Sequence, residues 1–510
     1  MKHNVKRLRQ RYERGLSILD KQKEMWKSLL DGNFENFTSG IAKGADICSR
    51  KEDLSSTLHY AVRGPNIEII IFLIKQKIIS TDLRDVNGQT VLHIAASFGR
   101  DATVKFLVAE MGNAIDQVDG TGKTPLHLAS RNGHKKTVVT LLSLGAKPAV
   151  KDFLGHFPLR YAVEKNYLDV VEILLEKDAT VDGADVNAKT KQGVLPLHLA
   201  ALHEIVKILL EKEAYINIGD NIDKNTPFHT AIINGNAIIV DLLLQHKANV
   251  NVKRNYGVTP LLLAVEGGHA DIVDLLLQNG ALADCGDIEG VLALHSAAYR
   301  GHRLVVEALL KRKDFDVNFK DQNGSNLLCA AATSGDVLIA RKLIERGIKV
   351  ADGTQQDFSP LFIAISMGHT KFVDVLLENG ADINPTDPNS SPLHQAVLMN
   401  KPDILERLLH YGANCNMRDS QKMTPLALAV SFAQMQNTSI LLQQECVKIN
   451  ERSNDNQTLL HFSGAVYDAR DKLGRTPSDL TSSPDIKELL ESIGKLFKAL
   501  KQNDVDMVCT

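Results

Sequence analysis

The sequence predicts an all-α solenoid, an array of stacked helix–turn–helix units joined by short β-hairpin-like finger loops. Three observations carry this. The stretch Gly122–Ala146 holds the start and stop signals of two short helices; it recurs at a spacing near 33 residues through most of the 510-residue chain; and no copy is long enough to be stable by itself.

Within GKTPLHLASRNGHKKTVVTLLSLGA, Thr124 is placed to cap a helix opening on Pro125, whose missing N–H costs nothing in a first turn. Gly133 can end that helix in the left-handed conformation. A second helix is expected from about Lys135, with Val138, Leu141 and Leu142 on one face, stopping at Gly145. Isolated helices need roughly 12–15 residues to persist in water. Each unit must therefore lean on its neighbours.

Positions matching Thr124 occur at Ser56, Thr90, Phe157, Leu195, Thr226, Thr259, Leu292, Asn326, Ser359, Ser391, Thr424, Thr458 and Thr476, mostly 32–34 residues apart. The words that follow include STLHYAV, TVLHIAA, TPLHLAS, LPLHLAA, TPFHTAI and SPLHQAV. A DxxG turn precedes several of them (Asp85–Gly88, Asp152–Gly155, Asp287–Gly290, Asp321–Gly324). Gly-His pairs and G-A-[DN]-[IVC]-N follow. Over roughly residues 24–494 this pattern resembles the ankyrin-repeat family.

The resemblance implies that the threonine and histidine of each TPLH word hydrogen-bond each other and nearby backbone. It also implies a concave groove, lined by the finger tips and the exposed positions of each first helix, that holds a protein or peptide partner. Carried onto this chain, the variable positions are the two after the turn aspartate and the two before the inter-helix glycine. Phe98, Arg131, Phe153, Lys165, Tyr256, Tyr299, Arg300 and Met367 are the large or charged residues there, and aromatics and arginine dominate protein interfaces.

The organisation expected is a basic, helical leader over 1–23, repeats over 24–450, a broken repeat over 451–475, a terminal repeat over 476–494 and a partial repeat or cap over 495–510. The opening unit is an atypical cap with Met25, Trp26, Leu29 and Leu30 as its apolar face. The unit of Leu195 carries extra residues near Val181–Asp185 and a shortened inter-helix link at Leu202–His203, which predicts a bend near 180–205. Thr458 and Thr476 are only 18 residues apart, so residues 450–475 are expected to be the least ordered. Beyond them, Leu496, Phe497, Val505 and Val508 echo Met25, Trp26, Phe34 and Phe37 of the opening cap, as either a truncated next repeat or a C-terminal cap, and apolar Leu496, Phe497, Val505 and Met507 would favour self-association.

Composition is that of an ordinary folded protein, 44% hydrophobic, 24% charged and a net charge of −2. Residues 1–27 nonetheless hold nine Lys/Arg against three acidic residues. That leader suggests weak nucleic-acid or anionic-lipid binding or a nuclear address, against a plainer reading as a solvated helix face. Six scattered cysteines without a CxxC pair fit a reducing, cytoplasmic compartment.

No phosphate-binding, dinucleotide, zinc-protease or serine-hydrolase motif occurs, so no catalytic residue, metal, cofactor or small-molecule substrate is expected. Eight of the 17 histidines occupy the fourth position of the TPLH word, where Arg160, Leu262, Cys329, Phe362 and Ala427 replace them elsewhere. That tolerance argues for a structural histidine. The function expected is a non-catalytic scaffold or adaptor; the alternatives are a fragment of a larger membrane-acting protein, such as a latrotoxin-like toxin or an ankyrin-bearing channel, and the leader-driven nucleic-acid or lipid binder.

Overall fold

The computed structural model describes residues 20–76, 79–111, 114–176, 184–282, 293–311, 317–321, 324–350, 359–387, 391–432, 434–448, 451 and 453–454. Among these residues the regular structure is helical, apart from one isolated bridge between Arg50 and Ser56. No described helix is long and apolar enough to cross a membrane. The chain divides into two compact units, Met1–Asn255 and Tyr256–Thr510.

In the first unit the helix pairs are 20–31 with Phe34–Ala42, Thr57–Arg63 with Ile67–Lys75, Val91–Ser97 with Asp101–Met111, Pro125–Arg131 with Lys135–Ser143, Pro158–Glu164 with Leu168–Leu175, Pro196–Leu199 with His203–Glu211, and Pro227–Ile233 with Ala237–Gln245. In the second they are Pro260–Glu266 with Ala270–Gln278, Ala293–Arg300 with Arg303–Leu310, Leu327–Ser334 with Val337–Glu345, Pro360–Met367 with Thr370–Glu378, Pro392–Leu398 with Pro402–His410, and Pro425–Ser431 with Met435–Leu442. Within each unit first helices pack on first helices and second on second, giving two helical layers.

The two layers are buried differently, and the sequence shows why. A first helix is enclosed by its neighbours and by its own second helix, so Pro125 through Ser130 are all buried and the small Ala129 lets the backbones approach. A second helix buries one stripe. Leu142, expected on that stripe, is only half-buried, and Thr137 and Thr140 are buried beside Val138 and Leu141 instead. The Thr140 hydroxyl satisfies itself by donating to the Asp101 carboxylate of the preceding repeat.

The opening unit is a helix pair with Met25, Trp26 and Leu29 buried. Leu30 is 45% exposed although it follows buried Trp26 by one helical turn, so the buried face is Met25, Trp26 and Leu29. The shortening expected in the link at Leu202–His203 falls instead on the first helix, which ends after four residues at Leu199, while the link 200–202 keeps the three residues of 132–134 with Ala200 extended. This short helix still packs on Pro158–Glu164 and Pro227–Ile233. Residues 1–19 of the leader, 181–183 of the extra segment, the 458–476 break, the terminal repeat 476–494 and the 495–510 segment with Leu496, Phe497, Val505 and Met507 lie outside the described residues.

Candidate functional site

The finger loops of Asp85, Asp119, Asp152 and Asp419 are turns organised by the aspartate, and Thr190 takes that place in the finger between Asp152 and Asp220. In the finger of Asp119 the backbone closes through Asp119 N–H to Lys123 O (2.9 Å) and Gly122 N–H to Asp119 O (3.0 Å), while the carboxylate accepts from the N–H groups of Thr121 and Lys123 (2.8 and 3.0 Å). Asp152 repeats this with Leu154 and His156 (2.9 and 2.8 Å), and Asp419 with Gln421 and Met423 (2.9 and 2.8 Å). Burial alone would raise the Asp119 and Asp152 carboxyls, but the donors around them hold both below the usual carboxylate range. These acids are consumed by the turn.

Tips are joined to tips by single backbone bonds. In the first unit Val86 N–H donates to Asp53 O (2.8 Å), Gly120 to Asn87 (2.8 Å), Phe153 to Thr121 (3.1 Å), Asn221 to Gln192 (2.8 Å) and Asn255 to Asp223 (2.9 Å). Backbone bonds therefore hold the row in register from Asp53 to Phe153 and again from Gln192 to Asn255, while the link between these stretches is the Lys191 side chain on the Phe153 carbonyl. Phe153 is locked further: its ring lies over Gly122 of the preceding finger, where a Cβ would come within 2.6 Å of it, and Lys191 donates to its carbonyl.

The TPLH histidines reach forward. His93 Nε2 lies 2.9 Å from Lys123 O, His127 3.1 Å from His156 O, His198 2.8 Å from Asn225 O and His394 3.0 Å from Met423 O, each a carbonyl in the next finger. A carbonyl only accepts, so Nε2 carries the proton and Nδ1 is the acceptor. Nδ1 of His93 and His127 receives the N–H of Thr90 and Thr124 (3.2 and 3.0 Å) and their hydroxyls (2.8 and 2.9 Å). Burial depresses all seven described members of this set, His59, His93, His127, His198, His229, His295 and His394, and takes His127 and His229 down to about 4. His461 lies outside the described residues.

The Gly-His histidines reach backward. His134 Nε2 lies 2.8 Å from Ser97 O, His302 3.3 Å from Glu266 O and His369 3.2 Å from Thr333 O. These carbonyls end the preceding first helix and have no partner within it. Histidine is thus spent on joining repeats in both directions, and among the described residues no group of His, Cys, Asp and Glu could hold a metal ion.

A third joint went unread in the sequence. The last asparagine of G-A-[DN]-[IVC]-N clamps the following repeat in a two-bond fork: Asn384 Nδ2 donates to Gly412 O (3.2 Å) and its Oδ1 accepts from Asn414 N–H (2.8 Å). Asn187 does the same to Glu213 and Tyr215 (3.2 and 2.7 Å), and Asn416 to Cys446 and Lys448 (2.8 and 2.7 Å). The signal was the recurring asparagine; its partner lies a full repeat away.

All eight expected contact residues are exposed, and they fall into two sets. Phe153 and Tyr256 stand on finger tips, Tyr256 in a left-handed conformation (φ 63°) that β-carbon-bearing residues seldom adopt. Phe98, Arg131, Lys165, Tyr299, Arg300 and Met367 stand at the far ends of first helices, a seven- or eight-residue helix away, on the order of 10 Å. In the second unit Tyr299 and Arg300 come together in a cleft of about 560 Å³ with Arg303, Ser334, Asp336 and Leu338.

Other residues share these positions. Val86, Leu154 and Ile222 accompany Phe153 on the tips of the first unit, each of the four between 56% and 63% exposed. Leu398 and Met399 are exposed at a first-helix end where Asn400 takes the positive φ in place of glycine, as Asn166 does after Lys165.

Comparison with known proteins places this architecture. The family model for ankyrin repeats (3 copies) matches in overlapping segments from residue 21 to 387, and that for ankyrin repeats (many copies) matches 376–429. The ankyrin repeat protein FPV031 of fowlpox virus (strain NVSL) is 39% identical over 108 residues, 20% of this chain and 30% of that protein. Palmitoyltransferase ZDHHC13 of Homo sapiens is 33% identical over 235 residues, 45% of this chain and 31% of that protein. The transient receptor potential channel pyrexia of Drosophila melanogaster is 34% identical over 125 residues, 24% of this chain and 12% of that protein. The chain spans less than a third of the length of each. The human ASB11 ankyrin repeat domain aligns over 44% of this chain and all of its own, with 25% identity and a TM-score of 0.40. With ankyrin-repeat matches running from residue 21 to 429, the chain belongs to the ankyrin-repeat family.

Proposed function

We propose that the chain is a non-catalytic scaffold that holds a protein or peptide segment along its finger tips and first-helix ends. Ankyrin repeats in general bind proteins. The observation supporting a tip contact here is the row Val86, Phe153, Leu154 and Ile222, apolar and exposed on finger loops, with those of Val86 and Phe153 tied in register by backbone bonds through the finger of Asp119. These side chains stand on alternate finger loops, separated by the polar tips Gly120–Thr121 and Lys191–Gln192, and exposed apolar side chains grouped along one row commonly mark an interaction site. A rigid row loses little further entropy on binding, so affinity can come from many small contacts.

The test is capture of partner proteins by the full chain and by the variant carrying Phe153→Ser, Leu154→Ser and Ile222→Ser. The expected outcome is at least a tenfold weaker capture at unchanged melting temperature. A photo-crosslinker at position 153 should label the captured polypeptide, while one at exposed Val139 on the second helix Lys135–Ser143 should not. Equal capture by both chains, or equal labelling from both positions, would remove the tip row from the function.

A further inference from the structure

Cys415 is buried in the loop after helix Pro402–His410, and Cys446 is exposed in the equivalent loop one repeat on, with the two sulfurs 2.9 Å apart. The chain separation is 31 positions and encloses the helix pair Pro425–Ser431 and Met435–Leu442. What brings the sulfurs together is the asparagine fork. Asn416, next to Cys415, grips the carbonyl of Cys446 and the N–H of Lys448. By that fork Cys446 occupies the place that Gly412 holds in the fork of Asn384. A glycine there offers no sulfur; a cysteine there faces the residue before the gripping asparagine.

We propose that Cys415 and Cys446 are a site of reversible oxidative modification, forming a disulfide that staples two consecutive repeats. A disulfide needs sulfurs at about 2.05 Å, so closure asks for roughly 0.9 Å of approach. Side-chain rotation can supply this without moving either helix pair.

The chemistry is a two-electron exchange with a small disulfide such as oxidised glutathione. The exposed Cys446 thiolate attacks one glutathione sulfur, forming a mixed disulfide and releasing one glutathione thiolate. The Cys415 thiolate then attacks the Cys446 sulfur, the second glutathione leaves, and the ring closes. The protein gives up two protons and two electrons, and one glutathione disulfide becomes two glutathiones. Burial, with the Cys446 sulfur beside it, pushes the Cys415 thiol up to about 11, which fits Cys446 as the entry point and Cys415 as the resolving thiol.

The experiment treats the full-length chain with oxidised glutathione, alkylates the remaining thiols and maps peptides by mass spectrometry. Expected is a Cys415–Cys446 cross-linked peptide two hydrogens lighter than the reduced pair and reversed by dithiothreitol, while exposed Cys48 carries only a glutathione adduct. In Cys415→Ala the glutathione should stay on Cys446. A lasting adduct on Cys446 in the unaltered chain, or pairing of Cys446 with any other cysteine, overturns the proposal. Hydrogen exchange supplies a second reading: closing a ring of this size should slow local opening across 415–446 by roughly two orders of magnitude. Faster exchange there on oxidation would show a distorted repeat and would equally overturn it.

Discussion

At the scale of single residues, the TPLH histidine is a neutral hydrogen-bonding bridge, and its proton inventory makes stability depend on pH. His127 ionises near 4 when folded against an ordinary value near 6.5, so the unfolded chain takes up the proton first as pH falls. Its contribution is intact above about pH 6.5 and is lost on descent toward 4, amounting to roughly 3 kcal/mol once both states are protonated. Urea midpoints of the full chain should therefore fall steeply between pH 6.5 and 4. The variant His127→Leu, which installs the residue that another repeat carries at Leu262, should be less stable at neutral pH with a flatter profile. The asparagine fork makes a second prediction. Asn384→Ala removes a donor to Gly412 and an acceptor for Asn414, each bond contributing about 1 kcal/mol, and should speed amide exchange at Asn414. The role of histidine was legible from the sequence because other residues replace it without breaking the repeat. The fork was not, because a lone asparagine in a turn reads as turn chemistry until the loop stacked on it is known.

At the scale of the helix pair, the inter-helix glycine separates two costs that sequence alone merges. Gly133 has φ +72° and a Cβ there would meet the Tyr167 ring at 2.6 Å, whereas Gly145 has φ +94° with no atom within 4 Å of that position. Gly133→Ala should therefore carry both a left-handed backbone penalty of roughly 1–2 kcal/mol and a clash, and Gly145→Ala only the first. Thermal melts of the two variants should rank in that order; equal melts would mean the ring simply moves aside. Starts of first helices were readable from Thr-Pro, and their ends from glycine where glycine is present. Asparagine can stand in for that glycine, as Asn166 does after Lys165 and Asn400 after Met399. Leu142 was misjudged because the buried stripe of that helix takes Thr137 and Thr140 instead, the latter with its hydroxyl on Asp101 of the neighbouring repeat.

At the scale of the molecule, the bonds that join repeats run between adjacent copies: His93 to Lys123 spans 30 residues, His134 to Ser97 37, and Asn416 to Cys446 30. Stability in such an array is close to a sum of repeat and junction terms, so a local defect should stay local. The four-residue helix Pro196–Leu199 offers the test, since its repeat has the shortest first helix among the described residues. Hydrogen exchange of the full chain should be faster in His203–Glu211 than in Leu168–Leu175 or Ala237–Gln245, and uniform protection across the three would show that the neighbours compensate fully. The repeat period was plain in the sequence; which repeat is weakest emerged only with the helix ends. The two directions in which histidine reaches also set how such a chain can change in length. Because such a copy gives a histidine to the repeat after it and accepts one back across the same junction, a block cut within a period parts donors from their carbonyls, so gain or loss of whole units should disturb the array least.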